Sequence, residues 1–586
     1  MSLRDEIIRH RKLWSAWYEL LRPRWLWLTI GAVCVITGRV SNIGVAILSG
    51  LLVNALVRHS HYRSVWVILG VSAGLIVAQV ILIRYSVLVI SREAQTLVSQ
   101  VRQRLVHHIL RLPMVQFDSN LAGALSAQII ADTESLRTVF NTGTMEFIGA
   151  VTMAAVSVIV LLIIDKTIAA GIVLALGPFM VMTVRHLRTL RKAYLDKSTR
   201  VASLGGRVNE AISGIRVLKT LGAEEHESKI ITERVLAIDD AEKSFYIGAS
   251  SLAWTVTITI GACTLFVMAL GARAYLDARL SLGAYFICFI LLSYIVLPLM
   301  QTLTAGAQIA VALAALERIA VLFAMRPESA AGSSHVELPS LKGNVVFDSV
   351  FFSYCAGKPV LQQISFSANA GTITAVVGPS GSGKTTLMNL LCGLIAPKYG
   401  VITIDGVDIS EMNMEWYRSH VGIVLQDTFL FSGTVYENIR YARPDASREE
   451  IMAACKVAHV DDFIEELSCG YDTEVGERGS LLSGGQRQRI SVARAVLTNP
   501  TILILDEASA NMDVQSEALL RDSYRELSKG RTIFIVSHRY SAIRDADQIV
   551  VLHRGRLHEM GSHEQLLKRQ GLYCRLFAVQ CAEPVS

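Results

Sequence analysis

Long apolar segments dominate the first 325 of the 586 residues. A helix needs about 20 mostly apolar residues to cross roughly 30 Å of hydrocarbon. The pattern predicts six such helices, near residues 25–56, 65–90, 141–164, 167–185, 247–272 and 281–305. Because the first segment is longer than one crossing requires, we expect that helix to tilt or to extend beyond the bilayer.

The connections between these segments alternate between short polar stretches and long ones. The long ones cover residues 91–140 and 186–246, and they share most of the Lys and Arg of this half with residues 1–24. Cytoplasmic segments carry such an excess, so we expect the N-terminus and both long connections in the cytoplasm. An even number of spans returns the C-terminus there as well. The N-terminus does not read as a signal peptide, and we expect a multi-pass protein of a bacterial inner membrane.

The long connections are themselves predicted to be helical. Apolar residues recur at helical spacing in the first of them, as at Leu97, Val101 and Leu105, which indicates that the spans continue below the membrane. The segment Arg326–Ser334 is enriched in Gly, Ser and Pro, a composition typical of a linker. The predicted parts are an all-α membrane domain of six helices over 1–325, a linker over 326–342 and an α/β domain over 343–586.

Composition supports this division. The chain is 52% hydrophobic and 18% charged, whereas soluble domains carry about 25% charged residues. The formal net charge is +6. No block of basic residues is interleaved with aromatic ones, which excludes nucleic acid as an expected partner. Basic residues beside membrane spans account for the charge better, with the lipid bilayer as the expected surroundings.

One motif in the second half predicts nucleotide binding. The segment Gly378–Thr385 fits GxxxxGK[ST], between an apolar strand at Ile373–Val377 and a helix pattern that starts at Thr386. Glycines let backbone N–H groups surround phosphates, Lys384 neutralises the β- and γ-phosphates, and the Thr385 hydroxyl ligates Mg²⁺. The predicted ATP-binding residues here are Gly378, Pro379, Ser380, Gly381, Ser382, Gly383, Lys384, Thr385 and Thr386.

A second motif predicts hydrolysis of that nucleotide. The run Ile502–Asp506 reads as a buried strand that ends on an acid, and Glu507 follows. Asp506 is placed to hold Mg²⁺ through water, and Glu507 to orient or deprotonate the attacking water. The domain is therefore predicted to be a P-loop ATPase with ATP and Mg²⁺ as its ligands.

A third motif, Leu482–Gln486, opens a predicted helix over Arg487–Leu497. Its residues Ser483, Gly484, Gly485 and Gln486 can form a second phosphate site at a helix N-terminus. The alternative is a simple N-cap and turn. Two separate γ-phosphate sites in one chain suggest that ATP is clamped between two copies.

These motifs in this order resemble the nucleotide-binding domain of ATP-binding cassette (ABC) transporters over about residues 343–578. The resemblance implies that Tyr354 stacks on adenine, that Gln426 senses Mg²⁺ and the attacking water, and that His538 contacts the γ-phosphate. It also implies that Thr473–Gly479 touches the membrane domain. The contact loop that closes on Asp513 departs from the family pattern Ser-Ala-Leu-Asp, since residues 510–512 read Ala-Asn-Met.

The first half resembles the exporter class of this family. The segments Glu210–Lys219 and Gln116–Leu125 are similar to its two intracellular connections. The resemblance implies ATP-driven export by alternating access, in a homodimer or a heterodimer. The expected cargo is an amphipathic compound: a drug-like molecule, a lipid or a small peptide, including an antimicrobial one. The alternative is an ATP-gated channel or regulatory receptor on the same scaffold. Arg39, deep in the first span, either meets an anionic or zwitterionic cargo or pairs within the bundle.

Overall fold

The fold is taken from a computed structural model. It describes residues 22–58, 62–117, 121–138, 144–328, 336–355, 357–506, 527–528, 530–537 and 543–576. The chain forms two compact units. The first comprises residues up to Leu110 and Ala122–Met325, and the second comprises Arg111–Leu121 and the residues from Arg326 onward.

The described residues of the first unit form helices joined by short turns. Its helices are α1 (Trp25–Val57), α2 (Tyr62–Ile109), α3 (Leu121–Thr138), α4 (Thr144–Ile164), α5 (Lys166–Ser213), α6 (Ile215–Leu221), α7 (Glu224–Leu276) and α8 (Leu282–Ala324). Every predicted span coincides largely with one of six of these helices. Among the described residues, α1, α2, α4 and α7 carry apolar stretches long enough to cross a membrane, and α5 and α8 carry shorter ones at Lys166–Pro178 and Leu282–Val296.

The predicted helical continuations are confirmed. Helix α2 runs on to Ile109, α5 to Ser213, and α7 begins at Glu224. An ion pair joins two other helices of this unit: Arg318 of α8 donates to Asp132 of α3 at 3.0 and 2.6 Å. Asp132 is only 4% exposed, so losing Arg318 would leave a buried carboxylate without its cation.

Helices α1 and α8 approach closely near the short connection that precedes α8. A Cβ on Gly283 would lie 2.0 Å from the carbonyl oxygen of Gly50, so only glycine fits there. Asn54 accepts a hydrogen bond from the Gly283 backbone N–H at 2.7 Å and donates to Ser281 at 3.0 Å. Ser281 in turn caps α8. These bonds satisfy backbone donors at the start of α8 that the helix itself leaves unpaired.

The second unit contains two sheets among its described residues. Its strands are β1 (Val345–Phe352), β2 (Leu361–Ala368), β3 (Ile373–Val377), β4 (Tyr399–Ile404), β5 (Val407–Asp408), β6 (Val421–Val424), β7 (Ile502–Asp506), β8 (Thr532–Val536), β9 (Gln548–His553) and β10 (Arg556–Gly561). The antiparallel sheet has the order β2-β1-β4-β5, and the larger sheet has the order β10-β9-β3-β8-β7-β6. Among the described strands of the larger sheet, the β9–β10 pair is antiparallel and the other pairs are parallel.

Seven helices cover these sheets in the described part of this unit. They are α9 (Lys384–Leu391), α10 (Met414–Ser419), α11 (Val435–Arg440), α12 (Arg448–Val457), α13 (Asp461–Ile464), α14 (Gly484–Leu497) and α15 (His563–Lys568). Side chains of a strand alternate between its faces. Ile502 and Ile504 of β7 share a core with α9 and the antiparallel sheet, whereas Leu503 and Leu505 share another core with α14. Helices α9 and α14 therefore cover opposite faces of the larger sheet.

Candidate ATP site

The predicted phosphate loop leaves the centre of the larger sheet. Strand β3 lies between β8 and β9, parallel to both, and the loop follows its carboxyl end. Gly381 and Gly383 have φ angles of 76° and 100°, which favour glycine. A Cβ on Gly378 would lie 2.2 Å from the carbonyl oxygen of Leu552. The loop backbone is thus held in a conformation that side chains would prevent.

The polar groups of this loop fit a phosphate. Lys384 is 6% exposed, and its ammonium donates to the carbonyl oxygens of Gly378 and Pro379, at 2.9 and 3.1 Å. The hydroxyl of Ser382 is buried and has no hydrogen-bond partner among the described residues. A hydroxyl donor and an ammonium inside a loop at a helix N-terminus suit the oxygens of a nucleotide triphosphate.

Strand β7 brings Asp506 to the edge of the larger sheet from which the phosphate loop leaves. Asp506 is its last residue and is 2% exposed, and β7 contacts α9, whose second residue, Thr385, is exposed. A carboxylate and a hydroxyl are the oxygen ligands that Mg²⁺ takes beside phosphates. The residues present therefore fit this ion. Bound there, Mg²⁺ would neutralise phosphate charge that develops during transfer.

Tyr354 lies next to the start of the phosphate-loop helix. The residue is 51% exposed, and its ring meets Phe352 edge to face, with the ring centroids 4.9 Å apart. Its hydroxyl lies 3.4 Å from Thr386 Oγ1. The residue is accessible and its ring is held beside Phe352, which suits stacking on a planar base. The adenine contact stays a prediction.

The motif Leu482–Gln486, called the LSGGQ segment after its sequence, begins α14 with a complete capping box. The Gln486 backbone N–H donates to Ser483 Oγ at 3.2 Å, and the Ser483 backbone N–H donates to Gln486 Oε1 at 2.8 Å. Gly484 and Gly485 occupy the first turn. The N-cap interpretation of Ser483 is thus confirmed. The cap leaves the glycine N–H groups at an accessible helix end, and the phosphate role stays a prediction.

Comparison with known proteins matches both units. A family profile described as "ABC transporter transmembrane region" matches residues 28–305, and one described as "ABC transporter" matches residues 361–510. The chain is 32% identical to "Uncharacterized ABC transporter ATP-binding protein YknV" of Bacillus subtilis, over 99% of this chain and 97% of that protein.

The chain belongs to the ABC transporter family.

Two further relatives describe the kind of transporter. The chain is 34% identical to the "ATP-dependent lipid A-core flippase" of Legionella pneumophila, over 83% of this chain and 82% of that protein. It superposes on the structure of "a bacterial Atm1-family ABC exporter with ATP bound" with a TM-score of 0.87 and 27% identity, covering 97% and 99% of the two chains. This ABC transporter is therefore a fused half-transporter of the exporter type, and its ATPase domain couples ATP hydrolysis to transport.

Several predicted site residues lie outside the described part of the transporter. These are Glu507, His538, Asp513 and the contact-loop residues 510–512. Gln426 is described and exposed, two residues after β6. The catalytic roles of Glu507, His538 and Gln426 stay predictions.

The structure adds two residues that the sequence analysis missed, both in α14. Gln488 is 2% exposed, and its Oε1 accepts a hydrogen bond from Thr428 Oγ1 at 2.7 Å. Arg487 donates to the carbonyl oxygens of Leu482 and Gly479, at 2.6 and 3.3 Å. The helix that begins at the LSGGQ segment thus holds the loop of Gln426 and the segment Thr473–Gly479. The only signal for Arg487 and Gln488 in the sequence was that they are polar and directly follow the motif Leu482–Gln486.

The segment Thr473–Gly479 is itself ordered by backbone bonds. Its Thr473 carbonyl accepts from the Val435 N–H at 3.0 Å, and its Val475 N–H donates to the Gly433 carbonyl at 2.9 Å. Arg478 has a φ of 52°, a strained value for a residue with a side chain. Contact of this segment with the membrane domain remains a prediction.

Arg39 lies near the middle of α1. A Cβ on Gly149 of α4 would come within 2.9 Å of Arg39 Nε, so the guanidinium occupies the space that this glycine leaves. No hydrogen bond or ion pair of Arg39 is found with the residues that the structure describes. The choice between cargo contact and pairing within the bundle stays open.

Proposed function

We propose that two copies of this chain form a homodimer that exports an amphipathic compound across the bacterial inner membrane by alternating access, with both termini in the cytoplasm. The proposal is supported by the position of the two predicted phosphate sites, the phosphate loop Gly378–Thr385 and the LSGGQ segment Leu482–Gln486, which are called the two phosphate cradles below. Helix α9, which begins within the phosphate loop, and helix α14, which begins within the LSGGQ segment, pack on opposite faces of the larger sheet.

Opposite faces make it difficult for one domain to close both cradles on one nucleotide. A second copy removes the difficulty, because its LSGGQ segment can complete the site begun by the first copy's phosphate loop. Each ATP would then join two chains, and its hydrolysis would release them. Ligands drive such a cycle only by binding the closed and open states differently.

Within each site, Glu507 is proposed to act as the base toward the attacking water, and His538 and Gln426 to sense the γ-phosphate and the ion. Thr385, Gln426 and Asp506 are the proposed Mg²⁺ ligands, directly or through water. Lys384 and Ser382 would hold the phosphates. The glycines Gly484 and Gly485 of the other copy would approach from the opposite side.

The cargo is proposed to be amphipathic, with a lipid as the first candidate. The helical unit exposes many large apolar side chains along α1, α2 and α7, as a surface in contact with lipid does. The Legionella relative is named as a lipid A-core flippase. Drug-like compounds and small peptides share the same amphipathic chemistry and belong in the same screen.

ATP turnover in lipid vesicles tests the proposal. The wild type is compared with Glu507→Gln, and a panel of lipids, dyes and peptides is added to each. We expect turnover by the wild type, loss of turnover in the variant, and a change of rate with one compound class. A wild type that binds ATP without turnover would overturn the proposal of a homodimeric exporter. The ATPase domain would then be regulatory or would need a different partner chain.

The dimer is tested separately by mixing the two forms. In a homodimer that needs both sites, coexpression of wild-type and Glu507→Gln chains lowers turnover more than in proportion to the wild-type fraction. A strictly proportional loss would contradict coupling between the copies.

A further inference from the structure

An arginine outside the recognised motifs caps the helix that carries the phosphate loop. Arg418 of α10 donates from Nη2 to the carbonyl oxygen of Gly393 at 2.7 Å and from Nε to that of Cys392 at 3.3 Å. The neighbouring Tyr417 hydroxyl donates to the carbonyl oxygen of Leu391 at 2.7 Å. These carbonyls belong to the last residue of α9, Leu391, and to the two residues that follow it. A cation is favourable there because the carboxyl end of the helix dipole is negative.

The same arginine makes a bidentate ion pair. Arg418 Nη1 and Nη2 donate to the two carboxylate oxygens of Glu328, at 2.8 and 2.6 Å. The side chains are 33% and 27% exposed. The hydrogen bond to Glu328 raises the pKa of Arg418, although burial lowers it. A bidentate ion pair fixes the orientation of the guanidinium relative to the carboxylate as well as the distance between them.

Glu328 comes from a different part of the chain. Helix α8 ends at Ala324, and Glu328 follows four residues later. Its backbone N–H donates to the carbonyl oxygen of Arg111 at 2.8 Å, two residues after α2 ends at Ile109. Glu328 therefore meets Arg418 of α10 through its side chain and the connection after α2 through its backbone.

We propose that Glu328 and Arg418 are positioning residues for coupled ATP hydrolysis, which hold the segment leaving α8 on the carboxyl end of the P-loop helix. When α9 moves with its phosphates, Arg418 moves with the carbonyls it caps. The bidentate pair passes that movement to Glu328, and the chain passes it to α8. The bond to Arg111 passes it to the connection after α2. This path runs within one copy.

The charge of Glu328 can be removed without disturbing the cap. Glu328→Gln keeps the shape of the side chain, and Arg418 keeps its two carbonyl contacts. A matched control is Glu337→Gln. Glu337 is exposed and accepts a hydrogen bond from Asn413, the N-cap of α10, at 2.7 Å. The substitution Glu337→Gln therefore alters a contact of the same helix, α10, and leaves Glu328 unchanged.

The readout is movement of the membrane helices driven by nucleotide. Spin labels are placed at position 276, where Leu276 ends α7 and is 82% exposed. The chain has nine cysteines, so the label is attached through a non-natural amino acid. Distances between the two copies in lipid nanodiscs are measured without nucleotide and after trapping with ATP, Mg²⁺ and vanadate. ATP affinity and turnover are measured on the same samples.

We expect the trapped state to shift the distance distribution in the wild type and in Glu337→Gln, and this shift to be lost in Glu328→Gln. ATP affinity should stay within about twofold and turnover within about threefold. Arg418→Lys, which keeps the charge but not the fork, should lose the shift too, and adding Glu328→Gln to it should change nothing further.

Two results would overturn the proposal. A full shift in Glu328→Gln would mean that the pair carries no movement. Loss of ATP binding together with the shift would mean that the pair only stabilises the P-loop helix. Neither result bears on whether the chain is an exporter, because wild-type turnover and cargo response are measured separately.

Discussion

The hydrogen bond between Thr428 and Gln488 allows a prediction in which the cost of losing the bond differs between the two partners. Gln488 is 2% exposed. Its Oε1 accepts from Thr428, and its Nε2 has no hydrogen-bond partner among the described residues. Thr428 is only partly buried, so water can replace its lost partner. The glutamine has no such replacement.

Thr428→Val keeps the shape of the side chain and leaves Gln488 buried with neither polar end paired. A buried polar group that loses its partner costs about 1–3 kcal/mol. Gln488→Leu instead removes the unpaired amide together with the acceptor, so its cost should be smaller. The double variant replaces both partners by apolar groups and should lie near the wild type. The valine substitution alone should therefore be the most damaging of the three.

Hydrogen exchange measures this locally in the intact transporter. Peptides from α14 report the free energy of opening of that helix. A loss of about 1–3 kcal/mol accelerates their exchange about 5- to 150-fold. We expect this acceleration in Thr428→Val, little change in the double variant, and an unchanged rate in peptides from α15 in all three. Equal acceleration in the two single variants, or a double variant worse than either, would refute the reasoning.

Three further substitutions test the ATP site. Gly378→Ala should weaken ATP binding at least about tenfold, because the new Cβ meets the Leu552 backbone, and equilibrium binding would show it. Gly371→Ala also places a Cβ at a positive φ, but in open space outside the phosphate loop, and should not weaken binding. Arg487→Met should lower kcat about tenfold with ATP affinity retained, since the LSGGQ segment loses its support; a matching loss of affinity would contradict this. Tyr354→Leu should raise the Kd for ATP about 2- to 12-fold and Tyr354→Phe should not, if the ring stacks on adenine; equal effects would place the contribution in the hydroxyl.

Much of the architecture was predictable because it depends on local patterns. Runs of apolar residues predict membrane helices, since the bilayer requires each backbone polar group to be paired within the segment. The helical period of Leu97, Val101 and Leu105 predicted the extension of α2. The phosphate loop was predictable for a related reason: its glycines and Lys384 act through the backbone and charge of one short segment, so the spacing alone defines the chemistry.

Contacts between distant segments were not predictable in this way. Nothing near Glu328 indicates that it pairs with Arg418, and nothing near Thr428 indicates Gln488, because the partners lie 90 and 60 residues apart. The sequence by itself determined two kinds of domain and the chemistry of the nucleotide loop. Only the tertiary structure decided which sheet face each phosphate cradle takes and which charges meet. Those choices depend on how whole elements pack, and packing sums many weak contacts that no single motif records.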